Sequence, residues 1–209
     1  LAYKADESIG VRLHNLIDEF SIVALPFNRY VANDTNAHVT ISSWRRVDDN
    51  VIPARGKIAG AYANSAFIKT DAQRAGFDEA LVLTNEGHIS EGSAENVFMV
   101  RDGVLVTPSI TENILEGITR RTVLELAQNE LGLAVQERPV DRTEVYLCDE
   151  LFMSGTAAQI TAITRVDHRP VGDGQMGPVT ARLRELFNDV VRGNVPKYHH
   201  WNVAVYPGV

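Results

Sequence analysis

The sequence predicts an α/β (α+β) domain in which a curved, mostly antiparallel sheet carries packed helices. Short apolar runs bounded by turn residues are typical of strands, and most of them follow one another closely enough to form hairpins. Other segments repeat apolar residues every three or four positions or begin with a proline, as helices do. The chain has no internal repeat and no low-complexity tract, which excludes a repeat architecture.

Composition sets the class of protein. With 209 residues, of which 44% are hydrophobic and 22% are charged, the chain is expected to be soluble and globular, with one large or two small domains. A net charge of -7 without a dense Lys/Arg run argues against nucleic acid or an anionic membrane as the main partner. No apolar stretch is long enough for a membrane span.

Cysteine content indicates the compartment. The single cysteine, Cys148, excludes an intrachain disulfide and a cysteine metal site. We therefore expect a cytoplasmic protein, and Cys148 is predicted to be a small core residue.

The first third of the chain contains strands and one helix. Residues 8–15 are predicted to be a loop or short strand. Residues 20–27 are predicted to be a strand that ends at Pro26, and 39–44 another. A polar turn at 48–50 precedes a helix predicted over 57–75 and closed by Gly76.

An antiparallel meander is predicted next, over residues 79–84, 88–90, 96–100 and 104–107. Residues 120–131 form an amphipathic pattern that predicts a helix stopped by Gly132, followed by a strand over 133–136.

The last third follows the same rules. Residues 141–148 begin like a capping box, 150–154 and 160–166 are predicted strands, and 167–177 is a turn-rich hairpin. Pro178 opens a helix predicted to continue through Val191. The tail from Gly193 is predicted to dock on the domain, and its two adjacent histidines lack a third ligand at metal spacing, so no metal site is predicted.

Two ionisable residues suggest chemistry. Lys57 follows a Pro and a Gly that break the backbone, and Glu91 lies at the end of a predicted strand, beside small residues. A lysine amine can condense with an aldehyde, and a carboxylate can keep a pyridine nitrogen protonated. Most lysines and glutamates are solvated surface groups, so the pair alone is weak evidence.

Several ordered motifs strengthen this interpretation. They are IPARGKIAGAYANSA (52–66), GFDEA (76–80), HISEGSAEN (88–96), GITR (117–120), SGTAA (154–158) and GPVT (177–180). With these motifs the chain resembles the fold-type IV enzymes that use pyridoxal 5′-phosphate, and is most similar to branched-chain amino acid aminotransferases.

The resemblance implies a role for each matching residue. Lys57 would be the catalytic lysine and bind the cofactor, Glu91 would bind its ring nitrogen, and Tyr62 its phenolic oxygen. Ile118, Thr119 and Thr156 would hold its phosphate, and Ala157 would contact substrate through its amide. Alternatively, Tyr62 is a core tyrosine and Thr119 an ordinary N-cap.

Substrate residues are implied less directly. Phe27 and Tyr30 would form the apolar side-chain pocket, or simply pack a core edge. We expect His88 to be a partnered histidine and not a base, and Glu95 to bond backbone or an arginine.

The resemblance also implies an organisation. Residues 1–30 would be the end of a small domain and an interdomain segment, and 31–209 the large cofactor-binding domain, with the family's N-terminal domain missing. Small-molecule amino acids and 2-oxo acids would be the partners, with Leu, Ile or Val exchanging its amino group with 2-oxoglutarate, in a homodimer or larger homo-oligomer.

Alternatives stay open. Arg12 and His14 have the Arg-x-His spacing of the carboxylate-binding loop in D-amino acid transaminases, so a D-amino acid or (R)-amine transaminase is the second candidate, although a solvated loop explains them equally well. An aminodeoxychorismate lyase is more distant. A catalytically inactive scaffold is the alternative from another class.

Overall fold

The computed structural model describes residues 2–5, 10–26, 31, 33–204 and 206. Within them, one large nine-stranded sheet carries three α-helices. Its strands are β3 (Ala37–Arg45), β4 (Glu79–Leu83), β5 (Ile89–Gly92), β6 (Asn96–Arg101), β7 (Val104–Thr107), β8 (Ala134–Glu137), β9 (Glu150–Gly155), β10 (Gln159–Val166) and β11 (Arg169–Pro170). The helices are α1 (Tyr62–Arg74), α2 (Ile118–Leu131) and α3 (Pro178–Val191), and 3-10 turns cover Ala59–Ala61, Arg142–Tyr146 and Pro196–Trp201. A separate antiparallel pair is formed by β1 (Ala2–Ala5) and β2 (Ile17–Phe20).

The strand order is β5-β4-β3-β10-β9-β6-β7-β8, with β11 on β10. Among the described residues, β3 pairs in parallel with β4 and β10, and β7 with β8, while the other five pairings are antiparallel. The predicted fold class, a mostly antiparallel sheet with packed helices, is confirmed.

Alternation along the central strands builds a core on each face of this sheet. In β6 and β9, Phe98 and Phe152 stack with ring centroids 5.0 Å apart and pack with α2 and α3. Their neighbours Met99 and Met153 belong to the other large cluster. Burial on both faces explains why these strands read as continuous apolar runs.

Several helix ends follow the predicted signals. Gly132 takes the left-handed conformation (φ 62°) at the end of α2, and Pro178 occupies the first turn of α3. The predicted capping box is present: Asp141 and Glu144 each accept a hydrogen bond from the other's backbone N–H. Cys148 is buried, as predicted.

The tail docks as predicted over its described residues. Tyr198 is buried in the cluster formed by α2, α3 and the central strands. Its hydroxyl donates to Glu130 Oε1 at 2.7 Å, and its ring lies 4.4 Å from that of Trp201.

Three secondary-structure predictions were wrong. The strand predicted over 20–27 is instead β2, and within the described part of the chain residues 21–26 have no partner strand, because β1 begins opposite Phe20. The predicted helix at Lys57 starts as a 3-10 turn at Ala59, since Ile58 is extended (φ -85°, ψ 126°). The meander is interrupted, because β6 pairs with β9 and β7 and not with β5.

No helix in the described part of the chain has the length and apolarity that a membrane crossing requires.

Candidate active site

The lysine segment ends in a tight turn before α1. The Gly56 N–H donates to Pro53 O at 3.1 Å, and the chain then enters the 3-10 turn Ala59–Ala61. The Lys57 side chain is exposed. Its Nζ lies 5.9 Å from the centroid of the Tyr62 ring, so the structure brings these two predicted site residues together.

Tyr62 also lines a small cavity, of about 30 Å³, that we call the carboxylate cavity. It is bounded by the start of α1, by β5 and by the adjoining ends of β6 and β9. The lining residues that matter below are Arg46, Tyr62, Glu91, Glu95, Asn96 and Ser154. Tyr62 and Glu91, which are far apart in sequence, therefore face the same space.

Glu91 is held on both carboxylate oxygens. Arg46 Nη2 lies 2.9 Å from Oε1, while Asn96 Nδ2 and the Leu115 N–H donate to Oε2 at 3.1 and 3.0 Å. Glu91 is only 4% exposed. A buried carboxylate with a cation and two further donors has a fixed orientation.

The charge of Glu91 is balanced between two effects. Burial raises its pKa to about 7, and the Arg46 guanidinium and the Leu115 amide act against that rise. The contacts stabilise the anion, whereas the lack of water stabilises the acid.

Arg46 and Asn96 were missed by sequence reasoning. Arg46 follows β3, where its backbone N–H donates to Leu83 O at 2.9 Å, and its Nε donates to Asn113 O at 3.1 Å. The only signal was the pair Arg45-Arg46 at a strand end, where adjacent side chains point to opposite sides. Such a pair indicates that one arginine side chain points into the protein, but it does not indicate which residue that side chain contacts.

Glu95 and Ser154 bring further polar atoms to the carboxylate cavity. Glu95 Oε2 accepts a hydrogen bond from the Ala94 N–H at 3.1 Å. Glu95 Oε1 and Ser154 Oγ are buried and have no hydrogen-bond partner among the described residues. The prediction that Glu95 bonds backbone is confirmed, and no arginine contacts it within the described chain.

Close packing at Gly117 connects this cavity to the start of α2. A Cβ at Gly117 would overlap Asn96 Oδ1, and Asn96 Nδ2 also donates to Leu115 O at 2.8 Å. The glycine thus lets the chain pass directly beside the residue that holds Glu91.

The second cavity, which we call the α2 cavity, has a volume of about 550 Å³ and lies between α2, α3 and the docked tail. Ile118, Thr119 and Thr156 all line it, so the three predicted phosphate residues are brought together. Gly117 is the N-cap of α2 and no side chain caps the helix. The N-cap interpretation of Thr119 was therefore wrong, and the N–H groups of the first turn are left to other partners.

One strand end joins the two cavities. Ser154 lines the carboxylate cavity and Thr156 the α2 cavity, with Gly155 between them. Glu95 Cγ would lie 3.7 Å from a Cβ at Gly155. The turn after β9 is therefore shared by both.

The predicted substrate residues have mixed outcomes. Ala157 is exposed in the turn that follows Thr156. Arg12 and His14 are exposed in an irregular segment and line neither of the two cavities. Phe27 and Tyr30 lie outside the described residues.

His88 has a structural partner. Its Nδ1 lies 3.2 Å from Glu112 Oε2, outside both cavities, which confirms the prediction of a partnered histidine. Among the residues that the structure describes, no three His, Cys, Asp or Glu side chains are grouped so that they could hold a metal ion.

The two cavities have the chemistry that pyridoxal 5′-phosphate requires. A buried anion held by Arg46 suits a protonated ring nitrogen, and the amides at the start of a 14-residue helix without a side-chain cap suit a phosphate. The exposed amine of Lys57 is accessible to an aldehyde. The residues present therefore fit this cofactor.

The chain is similar to known proteins over most of its length. The model of the family described as class IV amino-transferases matches residues 4–166. The chain is 44% identical over 206 residues to the "Probable branched-chain-amino-acid aminotransferase" of Aquifex aeolicus, and the match covers 99% of this chain and 66% of that protein. It is 42% identical over 183 residues to the branched-chain-amino-acid aminotransferase of Escherichia coli K12, covering 86% and 59% respectively.

Solved structures are similar over the same range. The branched-chain aminotransferase of Thermoproteus uzoniensis with norvaline superposes with a TM-score of 0.93 at 40% identity, over 98% of this chain and 67% of that one. The branched-chain amino acid aminotransferase of Thermobaculum terrenum in its PLP form superposes with a TM-score of 0.89 at 41% identity, over 96% and 65%. The chain spans less than two thirds of the length of the curated relatives named above.

Proposed function

Because the chain belongs to the class IV aminotransferase family, we propose that the protein is a pyridoxal-phosphate-dependent transaminase that exchanges the amino group of L-leucine, L-isoleucine or L-valine with 2-oxoglutarate. The relatives' names support the branched-chain class of substrate. The structural support comes from one arrangement. Glu91 is a buried carboxylate, held by Arg46, Asn96 and the Leu115 amide, in a cavity that Tyr62 also lines. Lys57 Nζ lies 5.9 Å from the centroid of the Tyr62 ring.

That arrangement suits a pyridine ring better than it suits metal or phosphate chemistry. A carboxylate that is fixed by a guanidinium can keep a ring nitrogen protonated, which makes the ring an acceptor of electrons. When bound, the cofactor supplies an aldehyde carbon and this electron-accepting ring. Glu91 would hold the nitrogen, and Tyr62 would donate a hydrogen bond to the phenolic oxygen.

The phosphate would bind at the α2 cavity. Ile118 and Thr119 would offer backbone N–H groups at the start of α2, and both residues line the same cavity as Thr156. The helix dipole favours an anion there by roughly 0.3–1 kcal/mol. These three residues would therefore fix the end of the cofactor that takes no part in the reaction.

Lys57 would have two roles. Its Nζ would bind the aldehyde carbon, and after release by substrate the same amine would take the proton from the substrate Cα and later return it. The neighbouring Tyr62 ring, 5.9 Å away, would limit the positions that the amine reaches.

Substrate would lie beyond Lys57. The Ala157 N–H is proposed to bind the substrate carboxylate, and Phe27 and Tyr30 to contact its apolar side chain. The Thermoproteus relative was solved with norvaline, an amino acid with an unbranched apolar side chain, which supports an apolar pocket.

The organisation is proposed on the same basis. Residues 1–30 would be the end of a small domain and the interdomain segment, and 31–209 the large domain. Ile17, Phe20, Ile22, Val23 and Leu25 expose their apolar side chains, and exposed apolar stretches favour association. We propose a homodimer or larger homo-oligomer in the cytoplasm.

The test is spectroscopic. Pyridoxal 5′-phosphate is added to the protein, the visible absorbance is recorded, and L-leucine is then added. We expect a band of protein-linked cofactor that L-leucine converts to the pyridoxamine form. Borohydride reduction and peptide mass spectrometry should locate the added mass on Lys57.

The matched variants are Lys57→Ala and Lys197→Ala. Lys197 is an exposed lysine that pairs with Glu130 and lies outside both cavities. Lys197→Ala should therefore leave the cofactor band and its conversion by L-leucine unchanged. Turnover retained by Lys57→Ala would refute the mechanism. Conversion by D-alanine alone would favour the D-amino acid or (R)-amine transaminase based on Arg12 and His14. Release of pyruvate from aminodeoxychorismate would indicate the lyase. Cofactor binding without turnover would indicate the inactive scaffold.

A further inference from the structure

Two carboxylates, Glu91 and Glu95, line the same small cavity, and their surroundings are unequal. Glu91 has a guanidinium at 2.9 Å and two N–H donors at 3.0 and 3.1 Å. Glu95 accepts from the Ala94 N–H at 3.1 Å, and its Oε1 is buried without a hydrogen-bond partner among the described residues. An ionised carboxylate is stable in a buried site only where donors and cations compensate it.

The cation that acts on Glu95 is held by another carboxylate. Lys69 Nζ lies 2.5 Å from Glu79 Oε2 and donates to Asp78 O at 2.9 Å. Glu79 is fully buried and its other oxygen accepts from the Ala80 N–H. Lys69 is thus engaged by Glu79, and an ionised Glu95 would add a second negative charge beside that pair.

We propose that Glu91 and Glu95 divide the two charge states of an acid pair: Glu91 is the anion, and Glu95 is a neutral carboxylic acid that donates a hydrogen bond from Oε1 inside the carboxylate cavity. The Ser154 hydroxyl lines the same cavity but makes no hydrogen bond with Glu95 Oε1 or with any other described residue. It becomes the acceptor when one of the two side chains rotates towards the other. Two carboxyl groups in one desolvated site take different charge states, because ionising both costs much more free energy than ionising one.

The electrostatics agree with this assignment. Burial, together with the charges of Glu79 and Glu91, raises the pKa of Glu95 to about 8, against the lowering effects of the Ala94 N–H and Lys69. The pKa of Glu91, which has Arg46 beside it, is raised only to about 7. Arg46 and Tyr62 are the other ionisable residues that line this cavity. Glu79 and Lys69 act on Glu95, and Arg120 on Glu91, without lining it. The short ion pairs of Lys69 and Arg46 are made with Glu79 and Glu91.

The consequence for the site follows if the proposed transaminase function holds. A neutral Glu95 leaves one negative charge, on Glu91, to pair with the ring nitrogen. Glu95 would then be a positioning residue: because it is neutral, it does not compete with Glu91 for the Arg46 guanidinium. The charge assignment itself concerns the cofactor-free chain and can be tested there.

The first measurement is infrared spectroscopy of the cofactor-free chain at about pH 7.5, between the pKa of about 7 of Glu91 and the pKa of about 8 of Glu95. We expect a carboxylic-acid C=O stretch that disappears in Glu95→Gln and on titration of the wild-type chain to about pH 10. The titration requires no variant, so a Glu95→Gln chain that fails to fold does not prevent the test.

The second measurement is the urea midpoint against pH. A folded-state pKa above the unfolded value of 4.5 means that the folded state binds more protons, so stability falls as pH rises from about 4.5 to about 8. Glu95→Gln carries no ionising group, and its midpoint should equal that of the wild type at about pH 5 and exceed it at about pH 9. Glu91→Gln should instead lower the midpoint at about pH 9, where Glu91 is ionised (its pKa is about 7), because the variant leaves Arg46 buried without its anion.

Two results would overturn the proposal. One is the absence of any acid band that depends on Glu95. The other is a Glu95→Gln midpoint that stays below the wild type at high pH, as expected if the native side chain were an anion. Neither measurement uses cofactor, so a failed spectroscopic test of transamination would leave this assignment intact, and the reverse also holds.

Discussion

At the scale of single residues, the charge state of the candidate site depends on a side chain outside every recognisable motif. Arg46 is 9% exposed at its side chain and reaches both Glu91 and Asn113 O. Burial favours the neutral form of Glu91, so the anion that a ring nitrogen needs depends on this guanidinium. The motif HISEGSAEN supplies the acid, but the residue that follows β3, two strands away in the sheet, supplies the cation.

Arg46→Met should therefore destabilise the fold. Removing one partner of a buried pair leaves the other without compensation and costs roughly 3–5 kcal/mol, less where the orphaned group can take up a proton as Glu91 can. We expect a loss of about 3 kcal/mol by urea unfolding at neutral pH. The adjacent Arg45 is exposed, so Arg45→Met is the matched control and should change stability by less than about 0.5 kcal/mol.

A double variant separates the two contributions. In Arg46→Met with Glu91→Gln no charge of this pair remains, so the loss should be smaller than the sum of the single losses. Additive losses would show that Arg46 stabilises the fold through its aliphatic chain and its bond to Asn113 O, without the ion pair.

At the scale of elements, helix ends were predictable because their signals are local. Gly132 ends α2 in the left-handed conformation, and no atom lies within 4 Å of the Cβ it lacks. Pro178 and the Asp141–Glu144 capping box also act within one turn of chain. Each of these features can be read from a few consecutive residues.

Gly132→Ala tests the conformational part alone. Space is available for the methyl group, so the whole cost comes from placing a Cβ in the left-handed region, roughly 1 kcal/mol. Urea unfolding of Gly132→Ala and Gly132→Asn measures it, with Asn expected to cost less because it enters this region more readily. Equal stability of Gly132→Ala and wild type would mean that the end of α2 can rearrange.

Strand pairing was predicted less well, because partners are chosen by burial across the sheet. The hairpins β4–β5 and β6–β7 were predictable from their turns. The pairing of β6 with β9 joins residues that are distant in sequence. Neither strand has a sequence feature that identifies its partner. Residues 21–26 have strand-like composition but no partner strand among the described residues, so the prediction over 20–27 failed for the same reason.

At the scale of the whole molecule, the sheet order assembles a site from distant segments. Arg46 follows β3, Glu91 lies in β5, and Ser154 and Thr156 lie at the end of β9. Motif order indicated Lys57, Tyr62, Glu91 and the α2 residues before any fold was known. The roles of Arg46 and Asn96 could not be predicted, nor could the Glu95 and Ser154 atoms that have no partner among the described residues, because these contacts exist only once the strands are assembled.

The turn shared by the two cavities leads to the last prediction, which concerns ligand binding and the fold together. A ligand that binds only the folded chain raises its stability by about 2.7 kcal/mol at a hundredfold excess over Kd. Pyridoxal 5′-phosphate should therefore raise the thermal midpoint. Thr156 is exposed, so Thr156→Val should leave the cofactor-free stability within about 0.5 kcal/mol of wild type and reduce the shift that the cofactor produces. Pyridoxal, which lacks the phosphate, should shift both proteins equally because Thr156 then has nothing to bind. If Thr156→Val reduced the shifts by both compounds alike, Thr156 would act on the ring and not on the phosphate, and the α2 cavity would lose its assigned role.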